Sequence, residues 1–300
     1  MVNNATKHLA RHGRCRMVVI DVQDLIPTVA AMPDKSHLDD NGRTIIDTLA
    51  LVQAITSAIA AAKKEGLVPR VLVVSHLVSK PALVLPVEAI AQACKHAGLE
   101  HVCVDGAHVP GQLPLNLNRL FTSGGVDSYV GNCHKWLYAP KGTAFLAMAS
   151  GSQPTPAPVV VGSEDHNCHG MDRFTYVGTR DYTSFCLVAD ALAFRSRWGE
   201  VALLAYSTEL ALWSCTYLAE LWGTHYVYNG GFMINVRLPY DWVQAQQLGA
   251  WLLEHDTSSA VYRSQEQAWV RVSLPGYVTA QDVRRLGQLV QQFAADHDSE

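Results

Sequence analysis

Between residues 71 and 105 two short apolar runs are separated by a single amphipathic helix, and this limits the chain to few architectures. Val71 to Val74 is wholly apolar, as strands buried on both faces of a parallel sheet are. Pro86 then opens a helix with Val87, Ile90, Ala91 and Cys94 on one face, and Gly98 closes it. His101 to Val104 forms the next run and ends at Asp105. A connection of this length is too long for a hairpin. It fits a strand–helix–strand crossover, which joins parallel neighbours.

The flanking sequence extends this unit. Residues 44–65 read as a helix, since Ile45, Leu49, Val52, Ile55 and Ile59 recur at three- and four-residue steps before Gly66. Strands are expected at Met17–Ile20, Ser128–Val130 and Thr143–Ala149. A Pro-rich connector covers 151–158, and 163–172 reads as an irregular loop. From Gly199 a long helix presents Leu203, Tyr206, Leu210, Trp213, Tyr217 and Leu221. The turn Asn229-Gly230-Gly231 leads into strands at 232–238 and 268–273, alternating with two helices, the last capped by Thr279 with Asp282 three residues on. The expected fold class is therefore α/β: a mainly parallel sheet flanked by helices over residues 1–198, with a smaller α+β domain over 199–300.

The charge balance narrows the function. The chain of 300 residues has 23 Lys and Arg against 27 Asp and Glu, a net charge of −4 that gives no electrostatic footing for nucleic acid. Only 17% of residues are charged and 49% are apolar, enough for a large core and a subunit interface. The most apolar helical stretch, Leu49 to Ala62, is broken by Gln53, Thr56 and Ser57 and is shorter than the roughly 20 residues a membrane span needs. The seven cysteines form no C-x-x-C pair and suit a reduced, cytoplasmic chain. Lys7, Arg11, Arg14 and Arg16 without a nearby acid have the composition of a transit peptide, but read better as one face of a helix.

Ligands of open α/β sheets sit beyond the carboxyl ends of the strands. Asp105 stands at one such end, and His134-Lys135 follows the next strand. A carboxylate and a lysine placed this way suit pyridoxal phosphate, which needs an amine for covalent attachment and an anion opposite its ring nitrogen. Burial would free that amine by disfavouring the ammonium. In isolation, Asp105 reads first as a turn residue and Lys135 as a surface charge. His166, Cys168 and His169, with Asp165, invite a metal reading, but their spacing matches no standard zinc pattern, so no metal is expected.

Longer stretches strengthen the pyridoxal-phosphate reading. Ser75-His76-Leu77-Val78-Ser79, Val104-Asp105-Gly106-Ala107-His108, Asp127 through Leu137, Gly178-Thr179-Arg180-Asp181 and Trp269-Val270-Arg271-Val272-Ser273 follow one another in order along the chain. Together they resemble the class V aminotransferase family of fold-type I pyridoxal-phosphate enzymes, and within it the branch of isopenicillin N epimerase and the C–S lyases. The resemblance implies that Lys135 is the Schiff-base lysine and Asp105 the partner of the pyridine nitrogen. It puts His108 near the ring hydroxyl, and Asn132, His134 and Ser79 among the cofactor contacts. Thr179 would reach a phosphate in a neighbouring subunit of a homodimer, and Arg271 would grip the carboxylate of an amino-acid substrate.

Epimerisation and β-elimination (C–S lysis) both need only removal of the α-proton, for which Lys135 is the expected base. The sequence leaves the two open. A cysteine desulfurase would need a mobile cysteine in the C-terminal part, where Cys215 falls inside a helix. The first ten residues resemble the family helix that follows the cofactor-stacking aromatic. The expectation is therefore a chain that begins inside the fold, without the phosphate loop that normally precedes that helix. The alternative function is an inactive, truncated paralogue that keeps the fold as an interaction subunit.

Overall fold

The structure is a computed structural model, and it describes residues 2–22, 25, 38–152, 158–160, 162 and 170–297. Two four-stranded sheets organise them. The first holds β1 (Val71–Ser75), β2 (His101–Asp105), β3 (Ser128–Asn132) and β4 (Ala144–Met148) in that spatial order. β1 and β2 pair in parallel with Ser75 opposite Asp105, and β2 and β3 pair in parallel with Asp105 opposite Val130. β4 runs antiparallel to β3.

Helices α1 (Val2–Arg11), α2 (Thr48–Lys64), α3 (Val87–His96) and α4 (Leu117–Thr122) belong to this half of the chain. Asp47 caps α2 by accepting from the Ala50 amide at 2.9 Å, and Leu51, Ile55 and Ile59 turn inward. Each such side chain contributes about 1.5–3 kcal/mol on leaving water. α3 buries Val87, Ile90, Ala91 and Cys94, the face expected from the sequence, and packs with Val102 and Val104 of β2.

The second sheet has the order β5 (Tyr226–Val227), β6 (Met233–Arg237), β8 (Gln267–Ser273), β7 (Ala260–Ser264), all antiparallel. α7 (Glu200–Trp222), α8 (Trp242–Glu254) and α9 (Ala280–His297) cover one face of it and enclose a core around Leu218, Ile234, Val270 and Phe293. The short α5 (Thr183–Cys186) and α6 (Val188–Ser196) precede α7. The capping pair at Thr279 forms as expected: the Thr279 amide donates to the Asp282 carboxylate at 2.8 Å.

Four expectations need correction. The helix expected over 44–65 starts at Thr48, and Ile45 and Leu49 of its expected apolar face are exposed while Leu51 turns inward. Met17–Ile20 forms no strand; Val18 and Val19 are exposed beside a groove that runs along the open face of the first sheet. β1 is an edge strand among the described residues, with Val71 61% and Val73 42% exposed, so its apolar run does not report burial on both faces. On α7 the buried stripe is Leu203, Ser207, Leu210, Ala211, Ser214, Cys215 and Leu218, rotated from the aromatic one read in the sequence. Small residues let the sheet approach closely on that stripe, while Trp213 and Tyr217 stack on each other at its side. The 163–169 segment, with His166, Cys168 and His169, lies outside the described residues.

Candidate active site

The carboxyl ends of β2 and β3 are neighbours in the first sheet, which brings the two halves of the sequence motif together. Asp105 closes β2, and one of its carboxylate oxygens accepts from the Ala107 amide at 3.0 Å, forming the tight turn that its residue type favours. Gly106 makes this turn possible, because a Cβ there would lie 2.1 Å from the ring of Tyr129. Tyr129 is fully buried, lies parallel to the Phe145 ring and shares a 3.0 Å hydrogen bond with Nδ1 of His76.

Lys135 follows β3 and turns back towards the loop after β2. Its Nζ lies 3.1 Å from Nε2 of His108, and the indole Nε1 of Trp136 donates to Nδ1 of the same ring at 3.4 Å. Burial pulls the Lys135 pKa below the ordinary lysine value; the Asp105 carboxylate opposes this and the Arg271 guanidinium adds to it. Burial, reinforced by the charges of Lys135 and Arg271, depresses His108 to about 3. Asp105, His108, Lys135 and Arg271 therefore share one electrostatic environment, although they come from the end of β2, the loops after β2 and β3, and the middle of a strand in the other sheet.

Several residues hold this group in place. Arg195 is buried and donates to the carbonyl of Trp136 at 2.8 Å and of Gly111 at 2.7 Å, while Glu200 neutralises it through two contacts at 2.8 and 2.9 Å. Gly111 has a φ of +89°, and a Cβ there would meet the Trp136 carbonyl oxygen at 2.5 Å, so the two loops touch backbone to backbone. The buried Gln112 donates to the His108 carbonyl and accepts from the Phe232 amide, both at 2.6 Å, which ties the loop to the second sheet. Arg195 sits in an apolar helix and gives no sequence signal of this role. Trp136 lies within the quoted stretches and Gln112 four residues beyond one of them, but their types alone do not reveal what they hold.

The remaining predicted residues fall in different places. Arg271 lies on β8; its Nη1 donates to the Ser79 carbonyl at 3.1 Å and its Nε is buried without a partner. Ser79 meets Arg271 through its backbone, and its side chain is exposed. Asn132 and His134 are neighbours at 3.3 Å. Because Nδ1 of His134 donates to the Thr143 carbonyl at 2.7 Å, its other nitrogen accepts from Asn132. Thr179 is exposed, 3.5 Å from the Tyr176 hydroxyl, and is not part of this cluster within one chain. Cys215 is buried in α7 and burial holds its thiol protonated, which does not suit a mobile sulfur carrier.

Residues 66–286, most of the chain and all of the loops just described, match the family described as aminotransferase class-V. The chain belongs to that family. Among curated relatives, this class-V chain is 30% identical over 264 residues to isopenicillin N epimerase of Streptomyces clavuligerus, covering 81% of the chain and 64% of that protein. It is 31% identical over 180 residues to a putative L-cysteine desulfhydrase of Oryza sativa subsp. japonica, covering 58% of the chain and 36% of the relative. The class-V chain thus spans between 36% and 64% of the length of these relatives. Its fold is similar to that of the cysteine desulfurase from Thermococcus onnurineus NA1, with a TM-score of 0.63 at 15% identity over 86% of this chain and 65% of that one. It is also similar to the cystine C–S lyase C-DES, with a TM-score of 0.58 at 21% identity over 77% and 64% of the two chains. These similarities confirm the expected fold-type I architecture.

Proposed function

We propose that this chain binds pyridoxal phosphate through Lys135 and acts on an amino acid by removing its α-proton, in epimerase or C–S lyase chemistry. The observation that carries the reading is the 3.1 Å approach of Lys135 Nζ to His108 Nε2 within reach of the Asp105 charge. The donor set fits the cofactor: a lysine with a depressed pKa, a carboxylate one strand away, and a buried guanidinium Nε on Arg271 with no partner of its own. The family and the epimerase and desulfhydrase relatives support the same chemistry.

In this reading Asp105 faces the pyridine nitrogen and His108 the ring hydroxyl. Asn132 and His134 lie on the phosphate side, and Ser79 is a cofactor contact beside Arg271. Asn132 gives one of its two amide N–H groups to His134 and keeps the other to offer a phosphate oxygen. When bound, the cofactor supplies an electron sink for the charge left on the substrate α-carbon. Lys135 takes the α-proton on its Nζ, and His108 orients that nitrogen. Arg271 pairs with the substrate carboxylate, for which its planar fork is suited.

A homodimer completes the proposal, with Thr179 serving the neighbour's site. Its support is the apolar surface following that residue, where Phe185, Leu187, Leu192 and Phe194 are each more than 40% exposed. We place the domain boundary between Trp198 and Gly199, ahead of α7. Localisation in the cytoplasm is supported by the free thiols of Cys15, Cys94, Cys103, Cys133, Cys186 and Cys215. Among the described residues no helix is long and apolar enough to cross a membrane.

The test is direct. Purified protein mixed with pyridoxal phosphate should gain visible absorbance, and borohydride should fix the cofactor on the peptide containing Lys135. In deuterated water it should then exchange the α-hydrogen of an amino acid; release of sulfide from cysteine would select the lyase branch, and inverted stereochemistry the epimerase branch. Failure to trap the cofactor would overturn the reading and favour an interaction subunit.

A further inference from the structure

Three side chains form one hydrogen-bonded line: the indole of Trp136, the imidazole of His108 and the amine of Lys135. The chemistry of the first fixes the state of the other two. An indole nitrogen only donates, so Nδ1 of His108 must present its lone pair to it. A neutral imidazole carries one proton, which then resides on Nε2. That N–H points at Lys135 Nζ from 3.1 Å, and the lysine nitrogen has to accept it. An ammonium has no lone pair to offer. An ammonium here would have to donate to Nε2 and move the ring proton to Nδ1, where it would face the Trp136 N–H donor to donor.

We infer that Trp136 is a positioning residue that holds His108 in the Nε2–H tautomer, and through it holds Lys135 as the free amine before any cofactor arrives. This rests on the proposed role of Lys135 and adds how the nucleophile is prepared. The indole is well placed for the task. It is 6% exposed, its ring meets Phe232 edge-on at 5.9 Å, and its carbonyl is fixed by Arg195. The imidazole is equally constrained, since Gln112 holds the His108 carbonyl. The charged groups facing the pair are Asp105, which favours the ammonium, and Arg271, which disfavours it. The Trp136–His108 contact decides the direction of the hydrogen bond between them.

The cofactor-free protein is the material for the test. Nitrogen-15 spectra of the wild type should show His108 with a proton on Nε2 and a bare Nδ1 across pH 6–9. Trp136→Phe keeps an apolar ring but removes the donor, and should give a mixture of both tautomers. Trace acetylation of the same proteins, read by mass spectrometry on the Lys135 peptide, should be about tenfold slower at pH 8 in Trp136→Phe, as expected for a one-unit rise in the lysine pKa. A wild-type His108 protonated on Nδ1 would overturn the inference whether or not the variant folds. So would a folded variant with an unchanged tautomer and labelling profile. Neither measurement involves pyridoxal phosphate, so failure of the cofactor-trapping experiment is read separately.

Discussion

Arg195 Nη1 donates to the carbonyl of Trp136, the residue directly after Lys135, at 2.8 Å. A side chain from the helix before α7 thus sets the backbone that carries the proposed nucleophile, and its second amino group does the same for Gly111 in the loop of His108. Arg195→Met would leave both carbonyls unpaired in a buried site. At about 1–3 kcal/mol for each stranded group, the expected loss of stability is several kcal/mol. It should appear as a lower urea midpoint, and an unchanged midpoint would contradict the clamp.

Gly106→Ala inserts a methyl group where the Tyr129 ring already stands, 2.1 Å away. That ring is fully buried and cannot yield cheaply. The variant should lose about 1–3 kcal/mol or more, and the displaced Asp105 turn should weaken cofactor binding at least tenfold, measured by spectroscopic titration. Wild-type affinity in a folded variant would remove Asp105 from the site.

Arg271→Ala should raise KM for the amino acid much more than it lowers kcat, the pattern for lost carboxylate binding. Esterified or decarboxylated substrate analogues should show little difference between wild type and variant. A fall in kcat at constant KM would instead place Arg271 on the chemical step.

The buried histidines predict a pH window for stability. Burial depresses His76 to about 4 and, with help from Arg237, His225 to about 4. In the folded chain they stay neutral, while in the unfolded chain they take up a proton near the ordinary histidine value of about 6.5. The unfolded state therefore binds more protons between these values, so stability falls as pH drops from about 6.5 to about 4 and is recovered above that range. The lowered carboxylates Asp127 and Asp282 lose their contribution only at still lower pH. Urea midpoints at pH 7 and pH 4.5 check this; equal values would refute it.

Much of this was legible in the sequence where a local pattern had one physical reading. The crossover from β1 through α3 to β2 follows from two apolar runs and a three-four helical step, and Thr279 with Asp282 announces the start of α9. Asp105 and Lys135 stood out because they end adjacent strands. What stayed hidden depends on contacts distant in the chain. The antiparallel turn of β4 and the short strands β5 and β7 have no distinctive pattern of their own, and the exposure of β1 depends on which neighbours it has. Arg195 looks like any arginine on a short helix until the carbonyls it binds, 59 and 84 residues away, are in view. The tautomer of His108 is set by the single N–H of an indole, which no residue spacing encodes.

Asn235 on β6 closes a ring of bonds with the loop after β1: it accepts from the Ala82 amide at 2.7 Å and donates to the Ala82 carbonyl at 2.9 Å. Asn229 pairs with Val84 in the same double fashion, and that loop in turn bonds back to His76 and Leu77. The hairpin acts as a rivet through both halves of the protein. A hinge motion that carries β8 and Arg271 away from the first sheet has to break these bonds. Opening the two sheets at this edge therefore costs four hydrogen bonds before the strand that bears the guanidinium can move.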